Sequence, residues 1–105
     1  MQVTKKQIDM AVSRLVKRFG PERIILFGSQ ARGTADEHSD VDLLVLGEFP
    51  SKRRVIQVAM DRALKGVGFA RDIFLLTPDE FERDRKIPGT IARYASKEGL
   101  VLYER

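Results

Sequence analysis

Apolar residues recur at Ile8, Ala11, Val12, Leu15, Val16 and Phe19, the spacing of one face of a helix. Thr4 followed by Gln7 has the form of a capping box before that run, and Gly20-Pro21 stops it. The pattern then changes. "RIILF" at 23–27 is an unbroken apolar run ending at a glycine, the form of a buried strand. "DVDLLVL" at 40–46 predicts a second strand, followed by a turn-rich stretch from Gly47 to Ser51. A second amphipathic helix is predicted over Lys52 to Lys65, with Ile56, Ala59, Met60, Ala63 and Val67 on one face and Gly66 and Gly68 closing it. "FARDIFLL" at 69–76 predicts a third strand. Thr77-Pro78-Asp79-Glu80 opens a short helix, since proline and acids suit a first helical turn. Pro88-Gly89 breaks it, Thr90 to Lys97 forms a final short helix, and "LVLYE" at 100–104 a last strand. This order predicts a mixed α/β (α+β) fold: a sheet of about four strands with helices packed mainly on one face.

Composition changes this picture little. The 105 residues suit one domain spanning 1–105, with 43% hydrophobic and 32% charged residues, an ordinary globular balance. There is no cysteine, which excludes disulfides and thiolate zinc sites and accords with a reducing compartment. No apolar run approaches a membrane span and "MQVTKKQIDM" lacks a signal-peptide core, so a cytoplasmic location without membrane contact is expected. The net charge of +4 favours anionic partners such as nucleotide phosphates. The charges are dispersed, however, and "KRR" at 52–54 is too short for a nucleic-acid tail, so direct nucleic-acid binding is not expected.

The chemistry concentrates in "FGSQARGTADEHSDVDLLVL". Asp40 and Asp42 stand two apart on a predicted strand and therefore share a face, roughly 6–7 Å apart at the backbone. Two such carboxylates repel, and burying them unpaired costs several kcal/mol each. A hard cation such as Mg²⁺ compensates best, and a pair of ions can be bridged by such residues. Asp72 interrupts the otherwise mostly apolar third strand. If that strand lies beside 40–46, Asp72 completes a three-carboxylate site; otherwise it is an edge charge or the partner of a base such as Arg71. Gly28-Ser29 ends the first strand ten residues before Asp40. A glycine there lets a phosphate approach the backbone, Gln30-Ala31-Arg32 is expected to turn into a short helix, and Arg32 adds a nearby cation. His38 is the only histidine and lies in a loop, where exposure without a catalytic role is the ordinary outcome.

Gly28-Ser29, Asp40-Val41-Asp42 and Asp72 together resemble the signature of the DNA polymerase β-like nucleotidyltransferase superfamily. The stretch "GSQARGTADEHSDVDLLVL" is most similar to its minimal nucleotidyltransferase (MNT) family, often the antitoxin half of modules paired with a HEPN-domain ribonuclease toxin. The resemblance implies the nucleotidyltransferase fold and a reaction with ATP as substrate. Asp40 and Asp42 would hold two Mg²⁺ ions, with Asp72 holding the ion that activates the attacking hydroxyl. Gly28 and Ser29 would bind the triphosphate. Many relatives carry arginine where this chain has Gln30, which bears on phosphate contact. The resemblance also implies a HEPN toxin partner whose tyrosine accepts AMP, because 105 residues leave little space for an acceptor domain; a homo-oligomer is the other way to supply one. Two other readings stand beside it: an antitoxin that neutralises by binding alone, and a transferase acting on a small molecule or an RNA end.

Overall fold

A computed structural model describes residues 3–36 and 39–105. Helix α1 (Lys5–Phe19) starts at the expected capping box: Thr4 accepts from the Gln7 N–H, and Gln7 accepts from the Thr4 N–H at 2.8 Å. It ends at Gly20 in the left-handed conformation. Strand β1 (Arg23–Phe27) leads into the single turn of α2 (Ser29–Arg32) and then β2 (Val41–Leu46). Next come α3 (Arg53–Ala63), β3 (Arg71–Leu76), α4 (Pro78–Asp84), α5 (Ile91–Glu98) and β4 (Leu100–Glu104). Helix α4 carries a second capping box, Thr77 with Glu80, and Arg53 reinforces it by donating to Glu80 at 2.7 Å.

The strands form one mixed sheet in the order β3-β2-β1-β4. β1 runs antiparallel to β2 and to β4, while β2 and β3 are parallel. The parallel pair is joined by the crossover helix α3, as such a pair requires. The four-stranded mixed sheet is therefore as expected, with the long helices on one face and the shorter ones on the other. Ala11, Leu15, Met60 and Leu64 pack on one face against Ile24, Leu26, Val41, Leu43 and Val45. Ile25, Phe27, Leu44 and Leu46 form a second core on the other face with Phe81, Ala92 and Ala95. The two long helices share one face, and α4 and α5 cover the other. The reason lies in the central strands: every residue of 24–27 and 43–46 is apolar, and strands apolar on both faces need cover on both.

Two details fix the layers. Arg14 of α1 donates to the carbonyls of Ala63 and Lys65 at 3.3 and 2.9 Å, placing a cation at the end of α3 where carbonyls lack helical partners. Gly99 lets the end of α5 press onto β1: a Cβ there would fall well inside contact distance of the Ala95 carbonyl oxygen and the Ile25 Cγ2. Among the described residues, no helix is long and apolar enough to cross a membrane. We expect Gly99→Ala to cost about 1–3 kcal/mol through overpacking, read as a lower midpoint in urea unfolding. An unchanged midpoint would mean α5 is free to shift off β1.

Candidate active site

Asp40 directly precedes β2, and Asp42 is its second residue. Alternation along β2 puts Asp42 on the face that carries Leu44 and Leu46, beyond the apolar cover of α4 and α5. Its register partner is Phe27 on β1 and Asp72 on β3. Asp72 thus stands beside Asp42 on a parallel neighbour, as expected from sequence. The rings of Phe27 and Phe74 meet at 5.6 Å and tilt by 53° beneath the acids. Asp42 is half-buried, while Asp40 and Asp72 are exposed.

This setting raises the Asp42 carboxyl above the usual carboxylate range. Burial is the largest cause, followed by the negative charges of Asp72 and Asp40; the Arg32 cation works the other way. The charge of Arg32 therefore bears on the acidic pair. Its guanidinium is held by Glu98 at 3.0 Å, so the end of α5 anchors the cation. Sequence reasoning missed Glu98, which lies 66 residues away with no local signal.

Gly28 is the pivot of the glycine turn. Its φ of 76° with ψ of −158° is a conformation that side-chain-bearing residues rarely adopt. A Cβ would collide with Asp42 Oδ2. The turn thereby lays its backbone directly against the half-buried carboxylate. The Ala31 and Arg32 N–H groups donate to the Gly28 carbonyl, both at 3.1 Å, which leaves the Ser29 and Gln30 N–H groups ahead of the first helical bonds. The glycine turn and Asp42, distant in sequence, lie against each other.

The donor set is made of carboxylate oxygens, which suit Mg²⁺ rather than a softer metal. Asp40, Asp42 and Asp72 are the residues that could hold such ions. Among the described residues, no three His, Cys, Asp or Glu side chains converge closely enough to enclose a metal ion on their own. Mg²⁺ commonly takes one or two carboxylates and completes its shell with water and substrate phosphates. His38 lies outside the described residues.

Comparison with known proteins identifies the family. A family model described as a nucleotidyltransferase domain matches residues 6–99. A candidate protein adenylyltransferase of Methanocaldococcus jannaschii, MJ1305, is 50% identical over 50 residues, covering 46% of this chain and 34% of that protein. The matched region is thus about a third of that relative's length. A second from the same organism, MJ0604, is 35% identical over 82 residues, 78% of each chain. A solved toxin–antitoxin structure with AMP-PNP superposes with a TM-score of 0.69 at 19% identity, covering 95% of this chain and 73% of that one, a likeness of fold. The chain belongs to the nucleotidyltransferase domain family.

The raised Asp42 carboxyl has a consequence for stability. Ionised Asp42 opposes folding, so its effect appears as pH rises through the window from the usual carboxylate range to its raised folded value. Below that window the residue is protonated in both folded and unfolded chains and contributes nothing. We expect Asp42→Asn to melt above the wild type at pH 7 in chelator-treated buffer, with the gain vanishing in acid. A lower melting temperature for the variant at pH 7 would contradict the electrostatic picture.

Proposed function

We propose that this member of the nucleotidyltransferase family transfers AMP from ATP to a hydroxyl of a partner protein, a tyrosine of a HEPN-domain toxin, and so acts as an antitoxin. The observation that carries the reading is the seating of Gly28 against Asp42 with Asp72 alongside. A phosphate-accepting turn abuts a carboxylate cluster there, as metal-assisted phosphoryl transfer requires. Names of relatives support the acceptor class: protein adenylyltransferase for the archaeal sequences, toxin–antitoxin for the structural neighbour.

In this reading the chain positions and polarises. Gly28 offers backbone without a side chain, so the triphosphate can approach closely. The Ser29 hydroxyl and the Ser29 and Gln30 N–H groups supply donors, and Arg32, steadied by Glu98, supplies positive charge. Two Mg²⁺ ions held by Asp40, Asp42 and Asp72 would neutralise the carboxylates and stabilise charge gathering on the reacting phosphate. Asp72 lies exposed on the outer strand of the sheet, the side from which an acceptor can arrive. The acceptor oxygen bonds to the α-phosphorus as the bond to the bridging β-phosphate oxygen breaks. Pyrophosphate leaves, and the hydroxyl proton passes to solvent.

We expect α-labelled ATP with Mg²⁺ to label a HEPN partner in the presence of the wild-type chain. Asp40→Asn and Asp42→Asn should each lower labelling by about a hundredfold or more. No label with the wild type, together with full inhibition of the toxin by both variants, would leave neutralisation by binding alone. Gly28→Ala should weaken ATP binding in titration calorimetry, because the new methyl group displaces Asp42; unchanged affinity would remove Gly28 from the phosphate site.

A further inference from the structure

The outer face of α3 carries exposed apolar residues among cations. Val55 and Val58, one helical turn apart, are 56% and 44% exposed. They floor a groove of about 640 Å³ bordered by Arg18 of α1 and by Lys52, Arg54 and Arg62. No acidic residue lines it. Among the described residues none of these four cations makes an ion pair, whereas the adjacent Arg53 is bound to Glu80 at 2.7 Å and Arg71 to Asp61 at 3.0 Å. The positive charge of the groove is thus uncompensated, around an apolar floor.

We infer that this groove is the docking site of the acceptor-bearing partner, which enters it with an acidic amphipathic helix. The inference rests on the proposed transfer for the word acceptor, and on charge and shape for the rest. Apolar side chains of such a helix would cover Val55 and Val58 while flanking carboxylates meet the four cations. A second depression of about 360 Å³ shares Arg54, Val58 and Arg62 and continues past Asp61, which is paired with Arg71, to Asp72. A partner seated on α3 is therefore led along the outer edge of β3 to the carboxylate at the active site. A second copy of this chain is a poor occupant. Its acidic helix, α4, turns its Phe81 into the core, where it is 3% exposed, and its own groove is basic. A nucleic acid would satisfy the cations but leave the valines uncovered.

The test reads binding rather than transfer. A fluorescent helical 16-residue peptide with leucines on one face and glutamates on the other is titrated into the full chain carrying Asp42→Asn, in the absence of ATP. The peptide should bind and shift the amide resonances of α3 in NMR spectra. Arg54→Glu with Arg62→Glu should weaken it about tenfold or more, mostly through slower association. Val58→Asp should do the same; all three sites are exposed, and circular dichroism verifies folding. The inference is overturned if a lysine-for-glutamate version of the peptide binds equally well, or if neither variant changes affinity. It is overturned too if a single-stranded RNA 20-mer binds more tightly than the peptide. Self-association abolished by Val58→Asp would identify a second copy as the occupant instead. Peptide binding that persists while no partner is ever labelled would sink the transfer reading and leave the docking site standing.

Discussion

Asp42 and Asp72 lie side by side on adjacent strands, roughly 4.8 Å apart at the backbone, the spacing of any sheet. Two ionised carboxylates at that separation repel by about 1 kcal/mol in water and about 3–4 kcal/mol at an effective dielectric of 20. The neighbouring residues of β2 decide the contest. Val41, Leu43, Leu44 and Val45 are at most 1% exposed, and each such side chain contributes about 1.5–3 kcal/mol on burial. Their sum exceeds the repulsion, so the apolar pattern dictates the register and the acids must follow it. Slipping β2 by one residue would point Asp42 at α1 and α3 and expel Leu43 to the other face. The active-site geometry is a consequence of packing that takes place elsewhere in the strand.

The same logic reaches the glycine turn and the last helix. β1 and β2 are antiparallel, so the end of one lies beside the start of the other, with Phe27 opposite Asp42. Whatever follows Phe27 must pass the carboxylate, and only a residue without a Cβ fits. The ensuing turn brings Arg32 round, where Glu98 holds it. Glu98 is in turn fixed because Gly99 lets α5 close onto Ile25 of β1. The ion pair is solvent-exposed and contributes little to stability, of order 0–1 kcal/mol. Its value lies in position: it keeps a cation beside an acidic cluster without letting it collapse into the cluster.

Local signals carried most of this into the sequence. The capping box at Thr4 and Gln7, the turn at Gly20-Pro21 and the two-residue spacing of Asp40 and Asp42 each act within a few residues and are readable there. Asp72 stood out because it interrupts an apolar run, although its alignment with Asp42 depends on how β3 docks, a tertiary fact. The cover on both sheet faces was signalled by the apolar runs themselves, yet the short helices α4 and α5 carry too few residues for their facing to be read from periodicity. Glu98 was illegible for a different reason: its pairing with Arg32 depends on how α5 closes onto β1 and leaves no pattern along the chain. The α3 groove lies mostly on one helical stretch, 52–63, but its closure by Arg18 of α1 is a tertiary fact.

The distribution of charge gives the arrangement its direction. Acids gather at the ends of β2 and β3, and the nearest cation on the β1 side, Arg32, already has a partner. Around the corner, in the groove floored by Val55 and Val58, the lining holds four cations and no acid. A cationic groove leading to an anionic site has two opposed effects: the groove draws an acidic surface, while the site, with Asp40 and Asp72 exposed, repels one. An acidic partner would therefore be oriented as it is bound, its charges on the groove and only a neutral group, such as a hydroxyl, able to advance to Asp72. Such steering acts over about 8–10 Å at physiological salt, comparable to the width of a helix. Selectivity for an uncharged acceptor on an acidic partner would then follow from where the fold puts its charges, before any contact with the acceptor is made.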